Sequence, residues 1–313
     1  MTPSAFPFVV GCGRSGTTML RLMLDSHPEL AIPTESYFPL WPNTSYRHPR
    51  GGVDVPAFLA FAEATDWFRR WDVPPERLRA RFAGERRLPY AEAMRRAFAA
   101  YAAERGKPRY GNKTPLHVVG LDRLAALFPE AVFVHIVRDG RDVAASFLEV
   151  PFGPRRLDEA ALFWRDRVER GRASGRALGP ARYVEVRYEA LVDDPERELR
   201  RLAPFCGLDF DEAMLRSHER AAEAVANVRY RKFHGRTAEP PSRVRDWRRS
   251  MSREDVETFE AAAGRSLRRF GYQPGARLGA VASARSTIAD LRYRVLLSRQ
   301  LARRAAAAGG ARR

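Results

Sequence analysis

The chain has 313 residues, of which 45% are hydrophobic, so it has the composition of a globular protein and not of a disordered one. Lys and Arg number 55 against 38 Asp and Glu, which gives a net charge of +17. This charge indicates an anionic partner such as a phosphate ester, a sulfate or a nucleic acid. The alternative is that the chain simply uses arginine often, without such a partner. Two cysteines exclude a disulfide framework and a cysteine-based zinc module, and they fit a reducing cytoplasm.

The N-terminal segment predicts a strand, a glycine loop and a helix, in that order. Residues 8–10 form an apolar run that ends in glycine, and residues 17–25 place Met and Leu side chains on one broad face before His27-Pro28 ends the helix. The glycine loop interrupts the first apolar run, and no run approaches the roughly 20 residues that a membrane helix needs. We therefore expect neither a signal peptide nor a transmembrane segment.

Further along the chain, strands and helices alternate. The clearest strand is VFVHIV at 132–137; a loop follows at 138–141, and Asp142 is predicted to cap the next helix. Another strand is predicted at 183–186. Helices are predicted at 56–70, 90–105, 157–178, 196–206, 211–225 and 253–269, and loops at 39–56 and 227–246.

This alternation predicts an α/β fold, a three-layer P-loop-like parallel sheet flanked by helices. Ligands of such folds bind at the carboxyl ends of the strands, where both glycine-containing loops lie. We expect one catalytic domain over residues 1–275, followed at 276–313 by a basic helical tail in which 285–304 forms an amphipathic helix.

The first loop, GCGRSGTT at 11–18, has the features of an anion cradle. Its glycines bring backbone N–H groups close to a ligand, and the following helix N-terminus adds partial positive charge. Gly11, Gly16 and Thr18 fit the nucleotide P-loop pattern G-x-x-x-x-G-K-[ST], but Thr17 occupies the lysine position. A β/γ-phosphate clamp therefore lacks its cation, although Arg14 supplies a charge within the loop. The alternative is a glycine turn without a ligand.

The second loop places Arg138 after the 132–137 strand and Ser146 about two turns into the next helix. An arginine fork suits phosphate oxygens, so both side chains could share one phosphate; alternatively, Arg138 pairs with Asp139 or Asp142 on the surface.

Taken together, RSGTT at 14–18 and VRDGRDVAAS at 137–146 resemble the sulfotransferases that use 3′-phosphoadenylyl sulfate (PAPS), in the bacterial and tyrosylprotein branch. The resemblance runs from about residue 8 to 272. It implies that the first loop binds the 5′-phosphosulfate and that Arg138 and Ser146 bind the 3′-phosphate. The implied 5′-phosphosulfate residues are Arg14, Ser15, Gly16, Thr17 and Thr18.

The resemblance also implies the catalytic residues. Glu35, in HPELAIPTESYF, matches the general base of that branch, because Pro115 stands where cytosolic members carry a histidine. Lys113 matches a cation that, with Arg14, would stabilise charge on the sulfuryl group; no metal is needed, and adenosine 3′,5′-bisphosphate is the product. The alternatives are a helix-capping or salt-bridging Glu35, a structural Lys113, and His117, expected on a helix surface, as a fallback base.

The resemblance implies that the basic loop at 227–246 folds over the nucleotide. Residues 237–243 would contact PAPS, with Ser242 or Arg243 near a phosphate, unless the loop is simply solvated. Tyr188 is predicted either to lie near the adenine or to belong to the core.

Two other classes of function are weighed against the sulfotransferase. A P-loop kinase or NTPase would need Mg²⁺ and the missing lysine, and a nucleic-acid-binding protein is suggested by charge alone. We expect a cytoplasmic enzyme that has no nucleic-acid partner. It could form a homodimer, and its basic tail could contact a membrane surface. The acceptor is a small-molecule, glycan or peptide hydroxyl. Candidate acceptor-stacking aromatics, unless they are core, are Tyr37, Phe38, Trp41, Tyr46, Trp67 and Trp71.

Overall fold

The computed structural model describes residues 5–40, 43–220 and 245–276, together with the single positions 288, 291 and 295. The strands are β1 Phe6–Gly11, β2 Leu30–Ala31, β3 Val53–Asp54, β4 Arg87–Leu88, β5 Arg109–Tyr110, β6 Asn112–Lys113, β7 Ala131–Val137 and β8 Tyr183–Arg187. The first helices are α1 Thr17–Asp25, α2 Val55–Ala64, α3 Asp66–Arg69, α4 Pro75–Ala80 and α5 Tyr90–Glu104. They are followed by α6 Leu121–Leu127, α7 Gly140–Leu148, α8 Leu157–Leu178, α9 Tyr188–Asp193, α10 Pro195–Phe205, and the helices Trp247–Ser250 and Arg253–Arg269.

These residues form two compact units. In the part of the chain that the structure describes, the first unit comprises 5–11, 16–136 and 171–220, and the second comprises 12–15, 137–170 and 245–276. The predicted boundary between a domain at 1–275 and a tail at 276–313 stays a prediction. Most of that tail lies outside the described residues.

The central sheet has the strand order β6-β1-β7-β8. Strand β1 runs parallel to β6, with Val9 opposite Lys113, and parallel to β7, with Gly11 opposite Ile136. The three strands therefore present their carboxyl ends at one edge. Lys113 is the last residue of β6, and the glycine loop and Arg138 follow β1 and β7 directly along the chain.

Alternating side chains of β1 and β7 belong to two hydrophobic cores. Phe6, Phe8 and Phe133 pack in a core with helices α2, α5 and α6. Val9 and Ile136 belong to a second core with α1, α9 and α10. Because successive residues of a strand point to opposite faces, the sheet of the first unit is covered on both sides. The prediction of an α/β fold with a parallel sheet flanked by helices is confirmed.

Most predicted elements are present with small differences at their ends. The helices Thr17–Asp25 and Leu157–Leu178 have the predicted bounds. The predicted loop at 39–56 is wrong at its end, because β3 and the start of α2 lie there. The predicted helix at 211–225 is wrong up to residue 220, where only the 3₁₀ turns Glu212–Met214 and Ser217–Arg220 occur. The predicted amphipathic helix 285–304 falls outside the described residues, apart from positions 288, 291 and 295.

Among the described helices, none combines the length and apolar character that crossing a membrane requires.

Candidate functional site

The glycine loop leads directly into α1 and leaves its N-terminus suited to an anion. Gly16 is the N-cap at φ 91°, provides no side-chain cap, and is followed by a first turn without an acidic residue. A helix N-terminus in this state offers backbone N–H donors and partial positive charge. Thr17 and Thr18 begin the helix and are both buried. These features match the anion cradle that the loop sequence predicts.

Two further residues of the loop fit an anionic ligand. Ser15 is fully buried, and its Oγ has no hydrogen-bond partner among the described residues. Such a buried hydroxyl is costly unless a ligand or water satisfies it. Burial also raises the pKa of the Cys12 thiol to about 12, so this side chain carries no negative charge that would repel an anion.

Arg14 adopts the left-handed backbone conformation, with φ 69°. This region is uncommon for residues other than glycine and is found where a functional contact holds the backbone. Here the Arg14 Nε donates a 3.0 Å hydrogen bond to the Oγ of Ser146 on α7. The second unit thus joins one residue from each of the two predicted phosphate motifs, although 132 positions separate them.

Arg138 lies at the start of the second motif and is held on two sides. Its carbonyl oxygen accepts a 3.1 Å hydrogen bond from the indole of Trp164, and its Nη2 lies 3.8 Å from Asp142 Oδ2. The alternative of a salt bridge with Asp142 agrees with this distance, but its surface location is wrong, because the Arg138 side chain is only 7% exposed. The prediction that Asp142 caps α7 is also wrong. Asp139 is the cap and accepts a hydrogen bond from the Arg141 backbone N–H.

A buried ion network, which the sequence did not reveal, fixes the start of α7. Arg141 is 1% exposed and donates to both oxygens of Asp139, and its Nη1 lies 2.6 Å from Glu260 Oε1. The Arg141 guanidinium also lies over the Trp247 ring, 3.7 Å from its centroid. Glu260 and Trp247 stand more than 100 positions from Arg141, so no local pattern could predict the contact. The network holds the backbone that carries Arg138.

In the first unit, Glu35 and Lys113 form an ion pair. Lys113 Nζ donates a 2.9 Å hydrogen bond to Glu35 Oε1, and the Tyr37 hydroxyl donates a 3.0 Å hydrogen bond to Oε2. Burial lowers the pKa of Lys113, although the charge of Glu35 opposes this effect. The lysine side chain is 3% exposed and the glutamate side chain 35%, so the carboxylate is the more accessible member. The structure therefore brings together the two residues to which the resemblance assigns the roles of base and cation.

Around this pair lies a buried polar network of side chains that flank Glu35 and Lys113 in sequence. The Thr114 hydroxyl accepts a hydrogen bond from the Ser36 N–H and donates one to the Ser36 carbonyl, both at 3.0 Å. Asn112 Nδ2 donates to Ser36 Oγ at 2.7 Å, and its Oδ1 lies 3.0 Å from His117 Nδ1. The prediction of a surface His117 is wrong: the ring is fully buried, and burial lowers its pKa to about 3. It serves the network as a neutral group.

The remaining predicted ligand residues have different outcomes. Tyr188 is buried in the second core, and a Cβ on Gly16 would lie 2.5 Å from its ring. The ring thus explains why residue 16 must be glycine, and an adenine contact stays a prediction. Ser242 and Arg243 lie outside the described residues.

The candidate acceptor aromatics divide in a similar way. Phe38, Tyr46 and Trp71 belong to the first core and Tyr37 contacts Glu35, whereas Trp41 and the Trp67 side chain lie outside the described part. Within the described segments, no group of three or more His, Cys, Asp and Glu side chains is arranged to hold a metal ion.

Comparison with known proteins gives one family. The profile described as "Sulfotransferase family" matches residues 8–212, which is more than half of the chain. Protein-tyrosine sulfotransferase 2 of Gallus gallus is 28% identical over 219 residues, covering 68% of this chain and 53% of its own. Nodulation protein NoeE of Sinorhizobium fredii is 28% identical over 289 residues, covering 83% of this chain and 64% of its own. The chain therefore spans less than two thirds of the length of either relative.

Among solved structures, the sulfotransferase domain from the Synechococcus PCC 7002 olefin synthase is similar, with a TM-score of 0.58 and 20% identity. The match covers 91% of this chain and 94% of that domain. At this level of identity the comparison supports the fold, in agreement with the parallel sheet described above.

Proposed function

The chain belongs to the sulfotransferase family, and we propose that it transfers the sulfuryl group of PAPS to an acceptor hydroxyl with Glu35 as general base. The observation that carries this proposal is the Glu35–Lys113 pair at 2.9 Å. A carboxylate can accept the proton of the acceptor hydroxyl, while the buried cation beside it can stabilise negative charge in the transition state.

The donor binds through residues that the sequence singled out. The N–H groups at the start of α1 and the hydroxyls of Ser15, Thr17 and Thr18 hold the 5′-phosphosulfate, and Arg138 and Ser146 hold the 3′-phosphate. The uncapped helix N-terminus and the unsatisfied Ser15 hydroxyl support the first assignment. For the second, the support is the burial of the Arg138 fork at the start of α7.

In the chemical step, the acceptor oxygen forms a bond to sulfur while the bond from sulfur to the 5′-phosphate oxygen breaks. Glu35 takes the proton of the acceptor hydroxyl. Lys113 stabilises charge on the sulfuryl and bridging oxygens; its ammonium has three N–H donors, of which the bond to Glu35 uses one. The products are the sulfate ester and adenosine 3′,5′-bisphosphate.

The acceptor is a hydroxyl of a small molecule, a glycan or a peptide. Relatives named as protein-tyrosine sulfotransferases make a tyrosine-containing peptide the first acceptor to assay. Tyr37, which binds Glu35 through its hydroxyl, lies where it can contact an acceptor approaching the base.

The test combines a binding assay with a turnover assay. Wild type and Glu35→Gln are compared for transfer of ³⁵S from PAPS to a panel of phenols, sugars and tyrosine peptides. The thermal shift with adenosine 3′,5′-bisphosphate, ATP–Mg²⁺ or an oligonucleotide is measured in parallel. We expect Glu35→Gln to bind the bisphosphate normally and to lose turnover by about 10²-fold or more. Near-normal turnover of the variant would refute Glu35 as the general base. Stabilisation by ATP–Mg²⁺ alone would refute PAPS as the donor.

A cytoplasmic location and a homodimer are further parts of the proposal. The free, buried thiols of Cys12 and Cys206 support a reducing compartment. Cell fractionation and sedimentation equilibrium test the two statements separately.

A further inference from the structure

Helix α1 holds the segment that leads to Glu35 through two charged side chains on one of its faces. Arg21 Nε donates a 2.8 Å hydrogen bond to the Ile32 carbonyl, and Asp25 Oδ1 accepts a 2.6 Å hydrogen bond from the Ile32 N–H. The two side chains are four residues apart on the helix, with Arg21 Nη2 lying 3.9 Å from Asp25 Oδ2. Both polar groups of the Ile32 backbone are therefore bound by one helix, and we call these two contacts the Ile32 clamp.

The Ile32 clamp leaves little freedom to the chain that connects α1 with Glu35. Ile32 is fully buried in the second core, and the next residue, Pro33, has a backbone φ that its ring fixes. Lys107 adds a further contact, because its Nζ donates to the carbonyl of the last residue of α1 and, at 3.0 Å, to that of Leu30. Glu35 thus follows three residues after an anchored position.

The helix that forms the clamp also begins at the proposed donor cradle. Arg21 and Asp25 lie about 6 and 12 Å further along the helix axis than Thr17, at about 1.5 Å per residue. The Arg21 side chain is only 3% exposed, and burying a guanidinium costs free energy that an apolar side chain would not. Packing alone therefore does not account for an arginine at this position, whereas binding the Ile32 carbonyl does.

We propose that Arg21 and Asp25 are positioning residues, which place Glu35 relative to the anion cradle at the start of α1. This inference rests on the proposed function, in which Glu35 is the general base and the cradle holds the 5′-phosphosulfate. Transfer requires the carboxylate to reach the acceptor hydroxyl while that hydroxyl faces the sulfur. A single helix that binds the donor at its N-terminus and holds the base segment at its side fixes this geometry before an acceptor binds.

The experiment compares Asp25→Ala with Asp25→Asn. Alanine removes the acceptor of the Ile32 N–H, whereas asparagine keeps an oxygen there and loses the charge. Asp25 gives a cleaner test than Arg21, because burial lowers the pKa of Lys113 and the Arg21 charge adds to this effect. Arg21→Met, which removes the donor to the Ile32 carbonyl, is the second variant and replaces Asp25→Ala if that protein does not fold.

The matched control is Arg182→Met. Arg182 is also partly buried and also donates to backbone carbonyls, but these belong to Ala125, Phe128 and Ala131, around the start of β7. Its loss should lower stability in urea denaturation without changing kcat. The control therefore separates a general loss of stability from a displaced base.

We expect Asp25→Ala and Arg21→Met to lower kcat by about tenfold or more, because even a small displacement of the base removes it from its productive position. Affinity for adenosine 3′,5′-bisphosphate, measured by calorimetry, should change by less than about threefold, and Asp25→Asn should retain most of kcat. In a Glu35→Gln background, Asp25→Ala should lower turnover by less than about twofold, because the group that it positions is already absent. A merely structural role would lower turnover equally in both backgrounds.

Turnover is measured as transfer of ³⁵S from PAPS to phenols, sugars and tyrosine peptides. Wild-type kcat in Asp25→Ala and Arg21→Met, or an equal loss with and without Glu35, would overturn the inference. Absence of transfer by the wild type, or transfer that Glu35→Gln leaves unchanged, would instead contradict the proposed function.

Deuterium exchange tests the clamp without an acceptor. The Ile32 N–H should exchange about tenfold or more faster in Asp25→Ala than in Asp25→Asn, since only the first variant removes its acceptor. Equal exchange rates in the two variants would show that Asp25 does not hold the segment, and would overturn the inference whatever the acceptor is.

Discussion

Lys113 and Glu35 meet through a 2.9 Å hydrogen bond in which the cation is buried and the carboxylate is partly open to solvent. The arrangement is unusual for lysine, whose ammonium normally stays in water. Burial lowers the pKa of Lys113, and the negative charge of Glu35 opposes this effect. The two side chains therefore form one ion-paired unit.

Replacing Lys113 tests this unit. We expect Lys113→Met, which keeps the length and removes the charge, to lower kcat by about 10²-fold or more, because a preorganised cation no longer stabilises the developing charge. Affinity for adenosine 3′,5′-bisphosphate, measured by calorimetry, should change much less. The control is Lys113→Arg, which keeps the charge with a different shape and should retain part of the activity. Unchanged kcat in Lys113→Met would contradict the role given to the lysine.

The Thr114 hydroxyl provides a test of the network around the pair. Thr114→Val keeps the shape but leaves the Ser36 N–H and carbonyl unsatisfied, which should lower the free energy of unfolding by about 1–3 kcal/mol. Because Ser36 follows Glu35, we also expect kcat to fall while KM for PAPS stays nearly constant. Urea denaturation and steady-state kinetics measure the two effects. Thr114→Ser, which retains the hydroxyl, should restore both the free energy of unfolding and kcat. Equal values in Thr114→Val and Thr114→Ser would show that the hydroxyl has no positioning role.

Arg138 is expected to bind the 3′-phosphate directly. Arg138→Ala removes a buried guanidinium fork and should weaken binding of adenosine 3′,5′-bisphosphate by about 10²-fold, as expected for the loss of a charge-assisted bidentate contact. The matched control is Arg170→Ala, which removes an exposed arginine that pairs with Asp166. Circular dichroism establishes that both variants fold. Equal affinities in the two variants would place the 3′-phosphate elsewhere.

His135 should make the protein less stable in acid. Its Nδ1 lies 2.7 Å from the Tyr183 hydroxyl, which itself donates to Glu185, so the ring is held in the neutral Nδ1–H form. Burial lowers the pKa of His135 to about 4, against 6.5 for the unperturbed group. Between these values the unfolded chain binds a proton that the folded chain does not, so stability falls as the pH falls from 6.5 towards 4, by about 1.4 kcal/mol per pH unit at most.

The measurement is urea denaturation of wild type and His135→Asn at pH 7.5, 6 and 5. The variant should lose less stability than wild type over this range, because one of the groups that protonate on unfolding is gone. The stability of the variant should still fall with pH, but less steeply than that of wild type, because the pKa of His117 is also lowered, to about 3. Identical slopes would show that His135 does not resist protonation in the folded protein.

The sequence by itself determined strands β1, β7 and β8, the two loop motifs and the family, because these depend on local patterns, whereas the short strands β2 to β6 were not predicted. The apolar run of β7 and the glycines at 11–16 predict their own structures through backbone and burial preferences that act over a few residues. Glu35 and Lys113 were each predicted as catalytic residues from a motif resemblance. The structure then supplied the 2.9 Å contact between residues 78 positions apart.

Other features were decided only by tertiary structure. Whether His117 lies at the surface or in the core depends on Asn112 and on residues that approach from distant parts of the chain, and a lone histidine carries no signal of that environment. The same holds for the contacts of Arg141 with Glu260 and of Arg14 with Ser146. Local sequence fixes which chemical groups are available, whereas packing determines their partners and the solvent that each one loses.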